Sequence, residues 1–247
     1  MSPKIELKEG AFIISDAHYS QMRPELLPFI EEIRSKKLKP TQLILMGDIF
    51  DALFGGVQYT QKLNSRMIES LNEISQFVEI IYLEGNHDFN LDQIFPNVKT
   101  VPIQMQPIEC FYHGKKVLLA HGDFDIGGFY KAYVKIVRNK IVLYVLKALD
   151  NALNHFIWKR LNIYLAKKDD CKEFLNFRGF ISSRVFKKYE CDYFIEGHFH
   201  QNKVIDFKEL IYVNLAAFAC NQRYFRVKSL HDKELLEENI FSKGIKV

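Results

Sequence analysis

The chain has 247 residues, of which 48% are hydrophobic and 26% charged, and its formal net charge is +4 at pH 7. These values suit one or two globular α/β domains and exclude disordered, collagen-like and coiled-coil classes. The N-terminus is charged, and no apolar run approaches the roughly 20 residues of a membrane-spanning helix, so we expect neither export nor a transmembrane segment. Four cysteines lie far apart, and we expect them to be reduced thiols in a cytosolic protein: Cys110, Cys171, Cys191 and Cys220.

Short apolar runs predict buried strands along the whole chain, at 11–15, 43–46, 78–83, 117–120 and 193–196. Helical spacing of apolar residues lies between the first of these, at 26–33 and 63–74. A hairpin turn is predicted at His113-Gly114, and a second hairpin should join 203–207 to 210–214. This alternation of strands and helices indicates a layered α/β fold with a mainly parallel sheet.

A segment between the fourth and fifth strands, called the insert here (residues 126–189), interrupts this order. From 129 to 188 it has no strand pattern and no proline, and it is predicted to form two or three helices. Between 126 and 168 it holds nine basic residues and one acid, Asp150, a net +8, so the remainder of the chain carries −4. This asymmetry predicts a local anionic partner.

Five short polar motifs follow the five predicted strands. They are Asp16-Ala-His18, Gly47-Asp48-Ile-Phe-Asp51, Gly85-Asn86-His87-Asp88, His121-Gly122-Asp123 and Gly197-His198-Phe-His200. The carboxyl ends of strands in layered α/β folds meet at one crevice, where ligands bind. Carboxylate, amide and imidazole donors without a thiolate favour Mn²⁺, Fe, Zn²⁺ or Mg²⁺ over a structural zinc site.

The number of donors favours two ions, because one catalytic ion with a position left for water needs fewer ligands. The candidate ligands are Asp16, His18, Asp48, Asn86, His121, His198 and His200. Two ions bridged by Asp48 would clamp the oxygens of a phosphoryl group. His87 is predicted to donate a proton or hydrogen bond to the substrate, with Asp88 fixing its tautomer. Asp51 and Asp123 are expected to support the ligands.

The order DxH…GDxxD…GNHD…HGD…GHxH, from Asp16 to His200, resembles the calcineurin-like metallophosphoesterase superfamily. The resemblance implies a layered β-sandwich flanked by helices and a metal-dependent hydrolase. It also implies how the ligands are shared between two ions. One ion is held by Asp16, His18, Asp48 and His200, and the other by Asp48, Asn86, His121 and His198.

The insert follows the HGD motif directly and has a helical, basic and amphipathic pattern. In this it resembles the helical cap of the UDP-2,3-diacylglucosamine pyrophosphatases of lipid A biosynthesis. That resemblance implies a core at 1–125 and 190–247 with an inserted cap at 126–189. It implies hydrolysis of a lipid-linked nucleotide sugar to UMP and 2,3-diacylglucosamine 1-phosphate, with Mn²⁺ favoured over Fe, Zn²⁺ or Mg²⁺. It further implies a cytoplasmic enzyme, peripheral on the inner face of the cell membrane. Two features depart from that family: it has Arg where His87 stands, and its cap does not match residue by residue.

The composition of the insert independently favours a lipid surface. Apolar residues alternate with lysines in FYKAYVKIVRNKIVLYVLKAL, and each basic residue near an anionic leaflet contributes roughly 1 kcal/mol. In the alternative, the lysines face water and the apolar residues pack on the core: Val134, Val137, Ile141, Val145 and Leu149. Candidate substrate contacts are Tyr130, Lys168, Lys172 and Arg178 from the insert, with Asn86 and His198 from the core.

Two other function classes compete with this interpretation. A nuclease or nucleotide phosphodiesterase of the same superfamily would place the basic segment on a nucleic-acid backbone. A non-catalytic scaffold would use the fold only as a platform for partners. The apolar excess of the insert argues against the first, so no nucleic-acid partner is expected, and the complete ligand set argues against the second.

Overall fold

The computed structural model describes residues 5–168, 170–186, 188–229 and 234–242, without the side chains of 129–131, 133 and 140. Its strands are β1 (Ile5–Glu6), β2 (Phe12–Ile14), β3 (Gln42–Leu45), β4 (Leu53–Phe54), β5 (Glu79–Leu83), β6 (Asp88–Phe89), β7 (Lys99–Val101), β8 (Ile108–Tyr112), β9 (Lys115–Ala120), β10 (Tyr193–Glu196), β11 (Lys203–Asp206), β12 (Ile211–Asn214), β13 (Arg223–Val227) and β14 (Leu236–Ile240). Its helices are α1 (Leu26–Arg34), α2 (Gln58–Leu63), α3 (Ser65–Ile74), α4 (Phe129–Val137), α5 (Lys140–Ala152), α6 (Phe156–Ala166), α7 (Phe177–Arg184) and α8 (Phe218–Asn221), with one 3₁₀ turn at Ile103–Met105. The five predicted strands are confirmed and correspond to β2, β3, β5, β9 and β10.

Two six-stranded sheets form the body of the molecule. The first sheet has the order β1-β8-β9-β10-β12-β11 and the second has the order β14-β13-β2-β3-β5-β7. Strands β2, β3, β5 and β7 are parallel, as are β9, β10 and β12. Both predicted hairpins are confirmed, since β8 pairs with β9 and β11 with β12 in antiparallel register. The predicted layered α/β class is therefore correct, with the parallel strands divided between two sheets.

The main core lies between the two sheets. Alternation along β3 sends Ile44 into this layer, against residues of the first sheet such as Val117 and Ile195. The neighbouring Leu43 and Leu45 point to the opposite face of the second sheet, where they pack against α1 and α3. Burial on both faces explains why these strands are continuously apolar. Both faces of each sheet are covered. The carboxyl ends of the strands are therefore where a ligand can reach the sheets.

In its described residues the insert contains four helices, α4 to α7, rather than two or three. Helix α7 packs on the outer face of the first sheet, where Phe177 and Ile181 contact the apolar residues of β9, β10 and β12. Helices α5 and α6 instead rest on the small two-stranded sheet β4-β6, through Leu143 and Trp158. None of the helices within the described ranges is long and apolar enough to cross a membrane.

One face of α5 is not packed on the core. Ile141 is 74% exposed, Val145 49% and Leu149 52%, whereas Leu143 is buried. The alternative, in which all five apolar residues of α4 and α5 named above pack on the core, is therefore wrong for these three. Their spacing of four residues places them on the side of the helix opposite Leu143.

The cysteines differ from expectation. Cys171 and Cys220 form a disulfide between residues 49 positions apart, with Cα atoms separated by 5.8 Å. Only Cys110 and Cys191, both buried, remain free thiols. The sequence carries no sign of this pairing, because the fold alone brings the turn after α6 beside the short helix α8. The prediction of four reduced thiols is wrong for this pair.

Candidate metal centre

The five motifs meet where β2, β3 and β5 of the second sheet and β9 and β10 of the first sheet end. Among the described residues, three groups of donors form there, and one of them, His18, Asp51 and His87, shares His18 with the first of the two groups described next. The first consists of Asp16, His18 and His200, whose ligand atoms all lie within 4.8 Å of one another. The second consists of Asp48, His121 and His198 and meets the same distance limit. Each of these last two groups combines residues of both sheets, so the site exists only when the sheets are packed together.

The two groups adjoin, and Asn86 joins the second. Its Oδ1 atom lies 3.4 Å from Nε2 of His121, which is 3.5 Å from Oδ2 of Asp48. The ring centroids of His121 and His198 are 5.1 Å apart, and those of His18 and His200 are 5.6 Å apart. The structure thus brings all seven candidate ligands into one centre, in which Asn86, His198 and His200 are partly exposed.

The backbone aims these side chains by an uncommon local conformation. Five of the seven candidate ligands have φ between 47° and 61°, in the left-handed region that non-glycine residues seldom adopt: Asp16, His18, Asp48, His198 and His200. Such strained residues cluster at functional sites, where the surrounding structure holds them in place. Here the turn that ends each strand directs the ligand toward the opposite sheet.

Glycines let the motif loops approach one another closely. A Cβ atom at Gly85 would collide with the carboxylate and main-chain nitrogen of Asp48, and one at Gly197 would collide with Ser15 and Asp16. Both glycines are therefore required by the space around them. Because glycine has no side chain, the GNHD loop can pack against the Asp48 carboxylate and the GHxH loop against the Asp16 carboxylate.

Main-chain carbonyls fix which ring nitrogen faces the centre. Nδ1 of His121 donates to the carbonyl of Met46 (2.8 Å), and Nδ1 of His200 donates to that of Asp170. A carbonyl can only accept, so Nδ1 carries the proton and Nε2 presents a lone pair to the carboxylates. This is the arrangement by which proteins orient metal-ligating histidines.

The chemistry of the first group fits a cation. Nε2 of His200 and Oδ1 of Asp16 are 3.0 Å apart, and two lone pairs at that distance repel unless a proton or a cation lies between them. Burial opposes charge on His200, but the Asp16 carboxylate raises the pKa of His200 to about 9. Burial likewise opposes ionisation of Asp16, but His200 holds its pKa below the ordinary value. The two side chains therefore require a positive charge between them, which a metal ion can supply.

Buried atoms without hydrogen-bond partners indicate the same occupant. Both ring nitrogens of His18 and both carboxylate oxygens of Asp51 have none, and each such atom costs about 1–3 kcal/mol. In the second group, burial and the charge of His121 lower the pKa of His198 to about 3, so this imidazole is neutral, as a metal ligand must be. These residues fit a pair of divalent cations.

His87 lies beside the first group, with its ring centroid 4.9 Å from that of His18. The expectation that Asp88 fixes its tautomer is wrong, because Nδ1 of His87 donates to the main-chain carbonyl of Asp51 at 2.8 Å. Asp88 is occupied elsewhere. Its carboxylate accepts from the main-chain N–H groups of Asp48, Ile49, Phe50 and Gly85 and from the hydroxyl of Tyr82. Asp88 therefore shapes the loop that carries Asp48.

The expected substrate contacts from the insert are not all placed at this centre. Nζ of Lys168 is 3.3 Å from Oδ1 of Asp170, near the first group. The carbonyl of Lys172 accepts from Gln201, and its side chain is exposed. Arg178 extends away, over the ring of Phe207 and toward the carbonyl of Asp206. The side chain of Tyr130 lies outside the described part of the chain.

Sequence reasoning missed three arginines that hold the insert against the motif loops. Arg138 donates to the carbonyl of Gly85 (2.5 Å), and Arg184 donates to that of Gly122 (2.7 Å). Arg23 donates to the carbonyls of Ala166 (3.1 Å) and Lys168 (2.7 Å). Partners that are main-chain carbonyls have no side-chain signature, so nothing in the pattern of residues could have identified them.

The adjoining donor groups at the junction of the two β-sheets are a candidate site for a pair of divalent cations. A family model described as Calcineurin-like phosphoesterase matches residues 11–202. The chain belongs to this family, whose members use divalent metal ions, and it is a metal-dependent phosphoesterase.

The chain is similar to several curated proteins named UDP-2,3-diacylglucosamine hydrolase. The one from Pseudomonas fluorescens is 30% identical over 155 residues, which cover 60% of this chain and 61% of that protein, less than two thirds of its length. The one from Histophilus somni is 23% identical over 201 residues, covering 78% of this chain and 85% of that protein. Among solved structures, a phosphoesterase from E. coli is 16% identical and covers 94% of this chain and 99% of that chain, with a TM-score of 0.45.

Proposed function

We propose that this protein cleaves the pyrophosphate of UDP-2,3-diacylglucosamine, giving UMP and 2,3-diacylglucosamine 1-phosphate. The observation that carries the proposal is a complete phosphoesterase centre bordered by a helical insert with an exposed apolar face. The curated relatives named above support the choice of this substrate among those of the family. The nucleotide sugar supplies a pyrophosphate for the centre and two acyl chains for the apolar surroundings.

Seven residues hold the two ions in this proposal. One ion is assigned to Asp16, His18, Asp48 and His200, and the other to Asp48, Asn86, His121 and His198. We assign Mn²⁺ to both positions, since this mixture of oxygen and nitrogen donors suits it. When bound, such a pair of ions lowers the pKa of a water molecule and neutralises charge on the phosphoryl oxygens.

His87 acts on the leaving-group side of the phosphorus in this scheme. With Nδ1 donating to the Asp51 carbonyl, Nε2 is the ring nitrogen left to face a substrate oxygen, and it delivers a proton or hydrogen bond there when the ring is protonated to imidazolium. Burial lowers the pKa of His87, against the opposing charge of Asp48. Asn86, His198, Lys168 and Lys172 are proposed to contact the phosphates or the sugar.

The insert is proposed to be a cap over the core formed by 1–125 and 190–247. Two adjoining cavities of 310 and 510 Å³ lie between α2 and the helices α5 and α6, and share Gln21, Tyr59 and Leu63. The smaller one extends from Asp51, beside the first donor group, to Ile163 of α6. Apolar clefts of this kind suit the acyl chains of a lipid substrate.

Membrane docking through the insert follows from its surface. Exposed apolar side chains lie on α5 and α6: Ile141, Tyr144, Val145, Leu149, Phe156, Ile163 and Tyr164. Asp150, the one acid between 126 and 168, is buried and accepts from the main chain at the start of α6. The charged surface of this segment is therefore basic, which suits an anionic leaflet and peripheral binding at the inner face of the membrane.

Product release from UDP-2,3-diacylglucosamine in detergent with Mn²⁺ tests the reaction. Chelator-sensitive formation of UMP and the acylated sugar 1-phosphate is expected, with no product from Asp48→Asn. UDP-N-acetylglucosamine, which lacks both acyl chains, should react far more slowly. Turnover of a generic aryl phosphodiester without turnover of the lipid would discard the substrate, and salt-sensitive cleavage of nucleic acid would favour a nuclease.

Sedimentation with vesicles containing phosphatidylglycerol tests the docking surface. The triple variant Ile141→Asp, Val145→Asp, Leu149→Asp should lose binding while keeping turnover of a water-soluble aryl phosphodiester. Val204→Asp is the matched control, since Val204 is 70% exposed on β11, outside the insert. Equal vesicle binding by the triple variant and the control would contradict docking through α5.

A further inference from the structure

The end of α6 and the turn that follows it reach back to the first donor group. The carbonyl of Asp170 accepts from Nδ1 of His200, whose other ring nitrogen faces Asp16 at 3.0 Å. The Asp170 side chain is buried in a core of charged groups rather than in solvent. A residue of the insert thus sets the orientation of an imidazole that belongs to the core.

Arg23, in the loop before α1, holds this turn in place. Its Nη1 donates to the Asp170 carboxylate at 2.6 Å. Its Nη2 donates to three carbonyls at the end of α6, those of Leu165 (3.2 Å), Ala166 (3.1 Å) and Lys168 (2.7 Å). A single guanidinium therefore contacts carbonyls at a helix C-terminus and fixes Asp170 at the same time.

The disulfide adds a second attachment one residue further on. Cys171 is bonded to Cys220 of α8. The main-chain N–H groups of α8 donate to the carbonyls of Ser15 (2.9 Å) and Asp16 (3.2 Å). Asp16 and His200 are thereby linked twice, directly through their side chains and indirectly through α8, the disulfide and Asp170.

We propose that Asp170 is a positioning residue for the ion of the first donor group, through a carbonyl that Arg23 and the Cys171–Cys220 disulfide hold against His200. Without this acceptor the imidazole of His200 is free to rotate or to change tautomer, and its Nε2 lone pair is no longer directed at the site. Loss of such outer partners typically weakens metal binding 10–100-fold. The His121 imidazole of the second donor group is oriented by its own acceptor, the carbonyl of Met46, and not by Asp170.

Equilibrium dialysis of the metal-free protein against Mn²⁺ tests the proposal without any substrate. Wild-type protein should bind two ions. The variant His200→Ala is the reference for the affinity of the first-group ion when its histidine ligand is absent. In Arg23→Gln the first-group ion should bind about 10–100-fold more weakly while the other keeps its affinity. Arg34→Gln is the matched control, because Arg34 pairs with Glu31 and Glu73 on the surface and loses the same charge.

Reduction supplies a second test that needs no substitution at Arg23. A phosphine reductant and water convert the disulfide to two thiols, with the phosphine oxidised to its oxide and the water supplying the oxygen and both protons. Affinity for one of the two Mn²⁺ ions should fall on reduction of the wild type. The variant Cys171→Ser, Cys220→Ser should show the weaker value from the start and should not respond to the reductant.

Two results would overturn the proposal. One is unchanged affinity for both ions in Arg23→Gln and in the reduced protein. The other is an equal loss of both ions, which would indicate general damage to the fold rather than positioning of His200. The inference rests on the metal-dependent centre of the proposed function but not on its lipid substrate. Failure to cleave UDP-2,3-diacylglucosamine would leave these binding results unaffected.

Discussion

At the scale of single residues, the centre depends on donors that local backbone geometry aims before any ligand is present. Asp48 is the residue common to both proposed ion positions, and its carboxylate also accepts from the main-chain N–H of His87 at 2.8 Å. Burial opposes its ionisation, but His121 holds the pKa of Asp48 well below the ordinary value. This carboxylate therefore stays charged and available throughout the neutral range.

Asp48→Asn and His121→Ala should each lower Mn²⁺-dependent turnover of an aryl phosphodiester by more than about a hundredfold, because each removes a ligand from a two-ion centre. Initial rates and bound metal per chain measure the effect. His113→Asn is the control, since His113 occupies a hairpin turn with φ of 47°, which Asn tolerates. Wild-type rates in the Asp48 variant would refute the assignment of the centre.

The four cysteines should divide into two reactivity classes. Burial raises the pKa of the Cys110 thiol to about 12 and that of Cys191 to about 11. The reactive thiolate is therefore scarce at pH 8, and its population rises only as the pH approaches these values. Iodoacetamide at pH 8 should label no cysteine in the native protein, two after reduction, and four after reduction and denaturation. Mass spectrometry counts the labels, and labelling of Cys110 in the native protein would contradict the burial.

At the scale of secondary-structure elements, buried arginines join the insert to the loops that carry the ligands. Arg184 of α7 pairs with Glu196 at the end of β10 at 2.5 Å, and both side chains are almost fully buried. The same guanidinium packs against the rings of Phe124 and Phe199. The position of the HGD and GHxH loops is thus tied to α7.

Arg184→Met should lower the free energy of unfolding by about 3–5 kcal/mol, because it removes the ion-pair partner of Glu196 in the interior. Adding Glu196→Gln should recover part of this loss, since the unpaired charge is removed. Urea denaturation measures both values. Lys203→Met serves as the comparison, because the exposed pair of Lys203 with Glu173 is expected to contribute less than about 1 kcal/mol. A similar small loss in Arg184→Met would mean that the buried pair contributes little.

At the scale of the whole molecule, the centre lies across the packing of two sheets, so ion binding and folding are coupled. Divalent ions that bind only the folded state should stabilise it by about 2.7 kcal/mol at a concentration 100 times the dissociation constant. For a chain of this size that is a rise in Tm of about 5–11 °C. Calorimetry with Mn²⁺ and with a chelator tests this, and Asp48→Asn should respond little to either. An identical Tm under both conditions would contradict the coupling.

Much of the fold follows from local patterns along the chain. The strands β2, β3, β5, β9 and β10 are continuous apolar runs, and the hairpins have clear turns. The number of helices in the insert could not be predicted correctly from the sequence. Helix α7 resembles the rest of the insert in composition, yet it packs on the first sheet while α5 and α6 pack on β4-β6.

The sequence by itself determined the chemistry of the centre, because carboxylate, amide and imidazole donors follow five strands whose ends must converge. It also indicated that the insert is basic and apolar. Only the tertiary structure decided that the donors come from two sheets, that Asp51 rather than Asp88 orients His87, and that Asp170 orients His200. These contacts join residues far apart in the chain through main-chain carbonyls. Every residue carries such a carbonyl, so the sequence does not reveal which of them will be used.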